Sequence, residues 1–206
     1  MSNKDIPKNT ASSSILRPWP LLESKILHMF SIFHLRQDTR QSPRTQKEHH
    51  FVVLDSPDWV NVVPVTPEGN IVLIRQFRHG TDSIVWEVPG GMVDKEDKDP
   101  AEAARRELLE ETGYEPERVR FIGVVHPNPA ILNNLCHSFV AEGCQPRQTQ
   151  KLDGSEDIEV KEAPWEEVSR MIDCGEISHS LVLAAFFWYR RHLAQVSPPP
   201  LKKTME

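Results

Sequence analysis

The chain has 206 residues and a mass of 23.6 kDa, enough for one domain of ordinary size with extra terminal segments. Its 38% hydrophobic and 26% charged residues, a mean hydropathy of −0.47 and the lack of any apolar run near the roughly 20 residues of a spanning helix exclude membrane insertion. A formal charge of −6 gives no basic footprint for nucleic acid, and three cysteines without C-x-x-C spacing give neither a disulfide framework nor a thiolate zinc site, so a reducing cytoplasm is expected.

Residues 1–14 are polar, with no apolar stretch of the kind a secretory leader needs, and residues 196–206 stack prolines against charge; both are expected to be disordered tails. Residues 15–50 read as an N-terminal β segment, because KILHMFSIFHLRQDT from Lys25 alternates apolar and polar residues over part of its length. Residues 51–195 read as the main domain. HHFVVLDS, WVNVVPVT and NIVLIRQFR are β-branched runs between turn signals such as Thr66-Pro67-Glu68-Gly69-Asn70, and SIVWEVPGG follows them. Asp99 then offers an N-cap, Pro100 sits at the first helical position, and AEAARRELLEET runs as a helix until Gly113 stops it. RVRFIGVVHP and LCHSFVAEG read as strands, IEVKEAPWEEV as a strand and a turn, EVSRMIDC as a short helix, and HSLVLAAFFWYRRHLA as a C-terminal helix. Residues 143–156 form the one long loop, and long ordered loops tend to be functional.

Within the helix at 101–112, Glu107, Glu110 and Glu111 fall at i, i+3 and i+4, so helical periodicity sets three carboxylates side by side, roughly 5–6 Å apart at Cβ. Two of them lie near the helix C-terminus, where the dipole disfavours negative charge. A solvated acidic face balanced by Arg105 and Arg106 is one reading. The other is a site for a hard divalent cation, which takes carboxylate oxygens and acts together with substrate phosphates.

The surrounding residues favour the second. Gly91 followed by Arg106-Glu107-Leu108-Leu109-Glu110-Glu111-Thr112-Gly113-Tyr114 resembles the Nudix box, in which a glycine and a glutamate precede Arg-Glu-apolar-x-Glu-Glu-x-Gly-apolar. The helical part matches at every position. Upstream, Asp97 takes the spacing of the box glutamate counted from the glycine, Lys98 takes it counted from the arginine, and the interval from Gly91 to Arg106 is one residue longer than the pattern. The resemblance implies an α/β/α sandwich around a mixed sheet. It also implies Mg²⁺ or Mn²⁺ held by Glu107, Glu110, Glu111 and the backbone carbonyl of Gly90, with a nucleoside diphosphate compound as substrate.

The subclass comes from weaker signals. Ile74-Arg75-Gln76-Phe77-Arg78 and Trp86-Glu87-Val88-Pro89-Gly90-Gly91 look like segments of the ADP-ribose and nucleotide-sugar pyrophosphatase branch, and Pro129 lies fifteen positions after Tyr114, as a proline does in that branch. A guanidinium suits a diphosphate because its planar fork grips phosphate oxygens bidentately. Arg78 is therefore the expected diphosphate contact, with Arg75 a weaker candidate, and Glu87 is expected to meet sugar hydroxyls or pair with an arginine. The branch places a further acid on a loop before the last helices, here Gly154-Ser155-Glu156-Asp157-Ile158; Glu156 is the expected metal ligand and base, with Asp153 and Asp157 as alternatives. Trp19 and Trp59 are aromatic candidates for the nucleobase or for the core, while His126, His137 and His179 read as packing or supporting groups. The expectation is a Mg²⁺-dependent hydrolase of ADP-ribose or a similar nucleotide sugar, acting as a homodimer. The rivals are a hydrolase of the same fold acting on GDP-mannose, dinucleoside polyphosphates or RNA 5′ ends, and a non-catalytic nucleotide-binding module.

Overall fold

The computed structural model describes residues 16–154 and 156–195; both expected tails lie outside the described residues. The chain divides between Val53 and Leu54 into two compact units.

The first unit carries a three-stranded sheet in the order β1 (Leu21–Met29), β2 (His34–Gln41) and β3 (Glu48–Asp55), β3 running two residues past the division, with β1 antiparallel to β2. Its buried anchor is Asp38, which accepts from Ser24 Oγ at 2.7 Å and from Arg40 Nη2 at 3.2 Å. Trp19 meets His49 and Phe51 edge-on, with centroids 5.4 and 5.6 Å away. β1 is exposed along its whole length, including Leu22, Ile26 and Met29.

The second unit is built on a mixed sheet. Its strands are β4 (Trp59–Val65), β5 (Ile71–Arg78), β6 (Ser83–Glu87), β7 (Gly90–Met92), β9 (Arg118–Val125), β10 (Cys136–Glu142) and β12 (Ile158–Ala163). The spine runs β12-β5-β4-β10-β9, with β6 paired to β5 and β7 to β4; β10 is parallel to β4 and the other pairs are antiparallel. Two short strands, β8 (Tyr114–Glu115) and β11 (Gln145–Pro146), pair separately. Three helices complete the unit: α1 (Pro100–Thr112), α2 (Trp165–Asp173) and α3 (Ser180–Leu193).

Strand alternation sends neighbouring residues to two separate cores. Val60, Val62, Phe139 and Ala141 pack with Ala103, Ala104 and Leu108 of α1. Val63, Leu73, Ile122 and Val140 pack with Val168 and Met171 of α2 and with Val182, Ala185 and Phe186 of α3. Helices thus cover both faces of the sheet, as the resemblance implies. α2 begins at Trp165 and includes residues that read as a turn, because Pro164 precedes it with φ −66° and Glu166 and Glu167 suit the positive end of a helix. Among the described residues no helix is long and apolar enough to cross a membrane. Cys136 and Cys144 are buried, and burial pushes both thiols up to about 12; Cys174 is exposed at the end of α2.

Candidate active site

α1 is fixed at both ends. The Asp99 carboxylate accepts from Ala101 N at 2.8 Å and Glu102 N at 2.9 Å, Pro100 loses no hydrogen bond at the first position, and Gly113 ends the helix at φ 76° with its N–H on Leu109 O. A side chain would be strained at that positive φ. Facing the helix, β7 brings the two glycines against β4, with Gly90 opposite Asn61 and Gly91 opposite Val60. Both positions are crowded: a Cβ on Gly90 would run into the Val60 carbonyl oxygen, and one on Gly91 into the Glu107 carboxylate. The Gly90 N–H donates to Glu111 Oε2 at 2.8 Å.

The helix acids differ in their surroundings. Glu111 is 3% exposed; burial first, then the Glu107 and Glu156 carboxylates, push it well above the usual carboxylate range against the pull of the Gly90 amide. Glu107 is pushed up to about 7, chiefly by burial and further by Glu110 and Glu156, although Arg106 opposes the shift. Glu110 is the more open of the three and lies 3.2 Å from Arg106 Nη1.

Arg106 organises the inserted loop. Its Nε and Nη2 hold Asp97 at 3.2 and 2.9 Å, Nη2 also reaches the Met92 carbonyl at 3.0 Å, and Nη1 donates to Glu107 at 2.9 Å. Asp97, not Lys98, therefore faces the box arginine, and the extra residue is absorbed between Asp97 and the helix.

On the hairpin β5–β6, Arg78 grips Glu87 bidentately, Nε to Oε1 at 2.8 Å and Nη2 to Oε2 at 2.6 Å. His179, just before α3, brings Nδ1 to 3.3 Å from Glu87 Oε2. Burial alone would raise Glu87, yet the two hydrogen bonds from Arg78, with the His179 ring close by, hold it at about 2. Arg78 also feels Glu111 and Glu156, which ties this pair to the helix acids. Arg75 is not brought to them: three residues from Arg78 on a strand, it points to the other face, paired with Glu159 and stacked 5.2 Å over Trp86. Trp59 is half-buried, its backbone opposite Met92 at the end of the glycine strand.

The loop after β11 lies against the end of α1. Arg147 N and Gln148 N donate to Gly113 O at 2.9 and 3.3 Å, and Lys151 N donates to Glu110 O at 2.9 Å. Glu156 closes a small turn, its Oε2 accepting from Asp153 N at 3.0 Å. Of the three loop acids, Glu156 is the one whose charge raises both Glu107 and Glu111; Asp157 is exposed.

Among the described residues, no three His, Cys, Asp or Glu side chains already close on one point as a set of metal ligands. The donor set nonetheless fits a hard divalent cation: oxygen atoms only, a buried Glu111 and a half-buried Glu107 that repel each other, and a glycine at 91 whose missing Cβ leaves room for the Glu107 carboxylate. The spacing left Asp97 and Lys98 level, and only the Arg106 hydrogen bonds decide for Asp97. His179 was noted only as a supporting group, and no local signal links it to Glu87.

Known proteins resemble this chain in sequence and in fold. The NUDIX domain model matches residues 55–186. An ADP-ribose pyrophosphatase of Bacillus subtilis (strain 168) is 31% identical over 61% of this chain and 68% of its own length. A methanol dehydrogenase activator of Bacillus methanolicus is 30% identical over 80% and 91%, and a GDP-mannose pyrophosphatase of Escherichia coli (strain K12) is 31% identical over 76% and 87%. A crystal structure of an ADP compounds hydrolase superposes with a TM-score of 0.77 over 89% of this chain and 98% of that one at 20% identity, a likeness of fold.

Proposed function

The chain belongs to the Nudix family, and from that premise we propose that it hydrolyses the pyrophosphate of nucleoside diphosphate sugars, with ADP-ribose as the preferred substrate, in a reaction that depends on Mg²⁺ or Mn²⁺. The observation that carries the reading is the pair of glutamates on α1, Glu111 buried and Glu107 half-buried, both raised by desolvation and by the Glu156 charge.

Glu107, Glu110, Glu111 and Glu156, with the Gly90 carbonyl, would hold the cation. When bound, it neutralises diphosphate charge and makes the attacking water more acidic. Glu156 takes the proton from that water as its oxygen bonds to phosphorus. The bridging P–O bond breaks, releasing a nucleoside monophosphate and a sugar phosphate. Arg78 stays charged through its pairing with Glu87. Nε and Nη2 face Glu87, so Nη1 is the nitrogen offered to a phosphate oxygen. Glu87 thus sets the guanidinium's orientation, and Trp59 beside the glycine strand is the aromatic candidate for the sugar or base. Arg75, held by Glu159, has the weakest claim to a substrate contact.

GDP-mannose is the second reading, since a relative of comparable identity carries that activity in its name. The net charge of −6 speaks against RNA ends, and retention of all three helix acids speaks against a purely binding module. A cytoplasmic location belongs to this reading, on the ground that three cysteines without C-x-x-C spacing offer no disulfide framework. The exposed apolar residues along β1, Leu21, Leu22, Ile26 and Met29, support homodimerisation through the N-terminal sheet, which light scattering on the purified protein tests.

The activity is tested by incubating the protein with ADP-ribose, GDP-mannose, a dinucleoside polyphosphate and triphosphorylated RNA, with Mg²⁺, Mn²⁺ or chelator. Metal-dependent AMP and ribose phosphate, lost in Glu111→Gln, is the expected result. Predominant GMP and mannose phosphate would move the substrate assignment, and no product under any condition would overturn it.

A further inference from the structure

The last turn of a helix leaves carbonyls without intrahelical partners. In α1 the Glu110 and Gly113 carbonyls are met by backbone amides of the following loop, but the Glu111 carbonyl has a different partner. The side-chain amide of Gln150 donates Nε2–H to it at 2.5 Å and donates again, at 3.1 Å, to the carbonyl of Ile158. Both protons of that amide are used. One half-buried side chain therefore joins the helix turn that carries Glu110 and Glu111 to the first residue of β12, which lies two positions beyond Glu156.

We infer that Gln150 is a positioning residue for hydrolysis, fixing the candidate base Glu156 relative to the helix carboxylates. The inference rests on the functional reading given above. Glu156 and Asp153 bond each other, Glu156 N–H to the Asp153 carbonyl at 3.3 Å and Asp153 N–H to the Glu156 carboxylate at 3.0 Å. At the start of this segment Lys151 N–H meets the Glu110 carbonyl, and the Gln150 side chain alone among the described contacts joins that start both to α1 and to Ile158 at its far end. A primary amide suits this position because it offers two donors on one nitrogen with no charge, whereas glutamate would set a carboxylate against two carbonyl oxygens. Truncation would remove the Gln150 donor from the Glu111 carbonyl and cut the link to Ile158, and misplacement of a reacting group by about 1 Å costs up to about 100-fold in rate.

The test uses the full chain as wild type, Gln150→Ala and Gln150→Glu. Steady-state hydrolysis of ADP-ribose and GDP-mannose is measured with Mg²⁺, and hydrogen–deuterium exchange is followed on the same proteins without metal or substrate. The expected result is a kcat lower by about 10–100-fold in both variants with KM changed less than about threefold. Faster exchange should accompany it, confined to residues 109–113 and 150–158. Wild-type activity with kcat retained in both variants overturns the proposal. So does a rate loss accompanied by faster exchange throughout β4 and β10, which is general destabilisation. A wild type inactive on both substrates sinks the functional reading instead, and exchange alone then decides whether Gln150 ties the loop to the helix: local acceleration supports the tie, and unchanged exchange overturns it.

Discussion

Glu87 and Glu111 are the same residue at almost the same depth, 2% and 3% exposed, yet their carboxyls are driven in opposite directions. Glu87 receives two hydrogen bonds from Arg78 and has His179 beside it, and it stays ionised down to about 2. Glu111 receives one backbone N–H, from Gly90, and faces Glu107 and Glu156, so burial prevails and it is held well above the usual range. Depth alone decides neither case; the sign and number of the neighbours do. The hairpin pair is complete as it stands, whereas the helix cluster is an excess of negative charge that a divalent cation would balance.

Replacing the acids separates the two regions most sharply. Glu111→Gln should lower kcat by about 10²–10³-fold while leaving the metal-free melting temperature nearly unchanged, since burial and the neighbouring acids already favour the neutral carboxyl there and the amide is neutral too. Hydrolysis assays and thermal melts on the same preparation check both halves. The reverse pattern is expected on the hairpin: Arg78→Ala strands Glu87 beside His179 and should cost about 3 kcal/mol in denaturant unfolding, with activity falling as well. A destabilised Glu111→Gln or a fully stable Arg78→Ala would abolish the contrast.

Acidity divides the regions again. Glu87, held at about 2, contributes stability that is fully present above its unfolded value of about 4.5 and is lost as pH falls from there toward 2, worth about 3 kcal/mol over the whole window. Glu107 works the other way: raised to about 7, its carboxyl favours the metal-free folded state below about 4.5, and that contribution is lost as pH rises to 7. Because a ligand must be deprotonated, Mg²⁺ should raise the melting temperature more at pH 7.5 than at pH 5, and a pH-independent shift would remove Glu107 from the site. The smallest effect is expected at the inserted loop, where Asp97→Ala frees one side of Arg106 and should cost about 1 kcal/mol, measured by chemical denaturation.

What could be read from the sequence was what lies close along the chain. α1 announced itself through Asp99, Pro100 and Gly113, all local signals, and 3.6-residue periodicity was enough to set Glu107, Glu110 and Glu111 together. The hairpin pair was half legible: Glu87 was expected to meet sugar hydroxyls or an arginine, and the β5–β6 register decided for Arg78. Arg75 carried the same chemistry three residues away, and strand alternation sent it to Glu159 instead. Gln150 and His179 gave no signal, because their partners lie far off in sequence and are reached only after the sheet has closed.

The three thiols give the native chain a ready handle for spectroscopy. Cys136 and Cys144 are buried and protonated at any ordinary pH, while Cys174 stands exposed at the end of α2. A maleimide fluorophore added under native conditions should therefore label one place, with no cysteine removed beforehand. Uptake of a second and third equivalent would then report opening of the sheet itself, so a single titration of dye counts folded molecules.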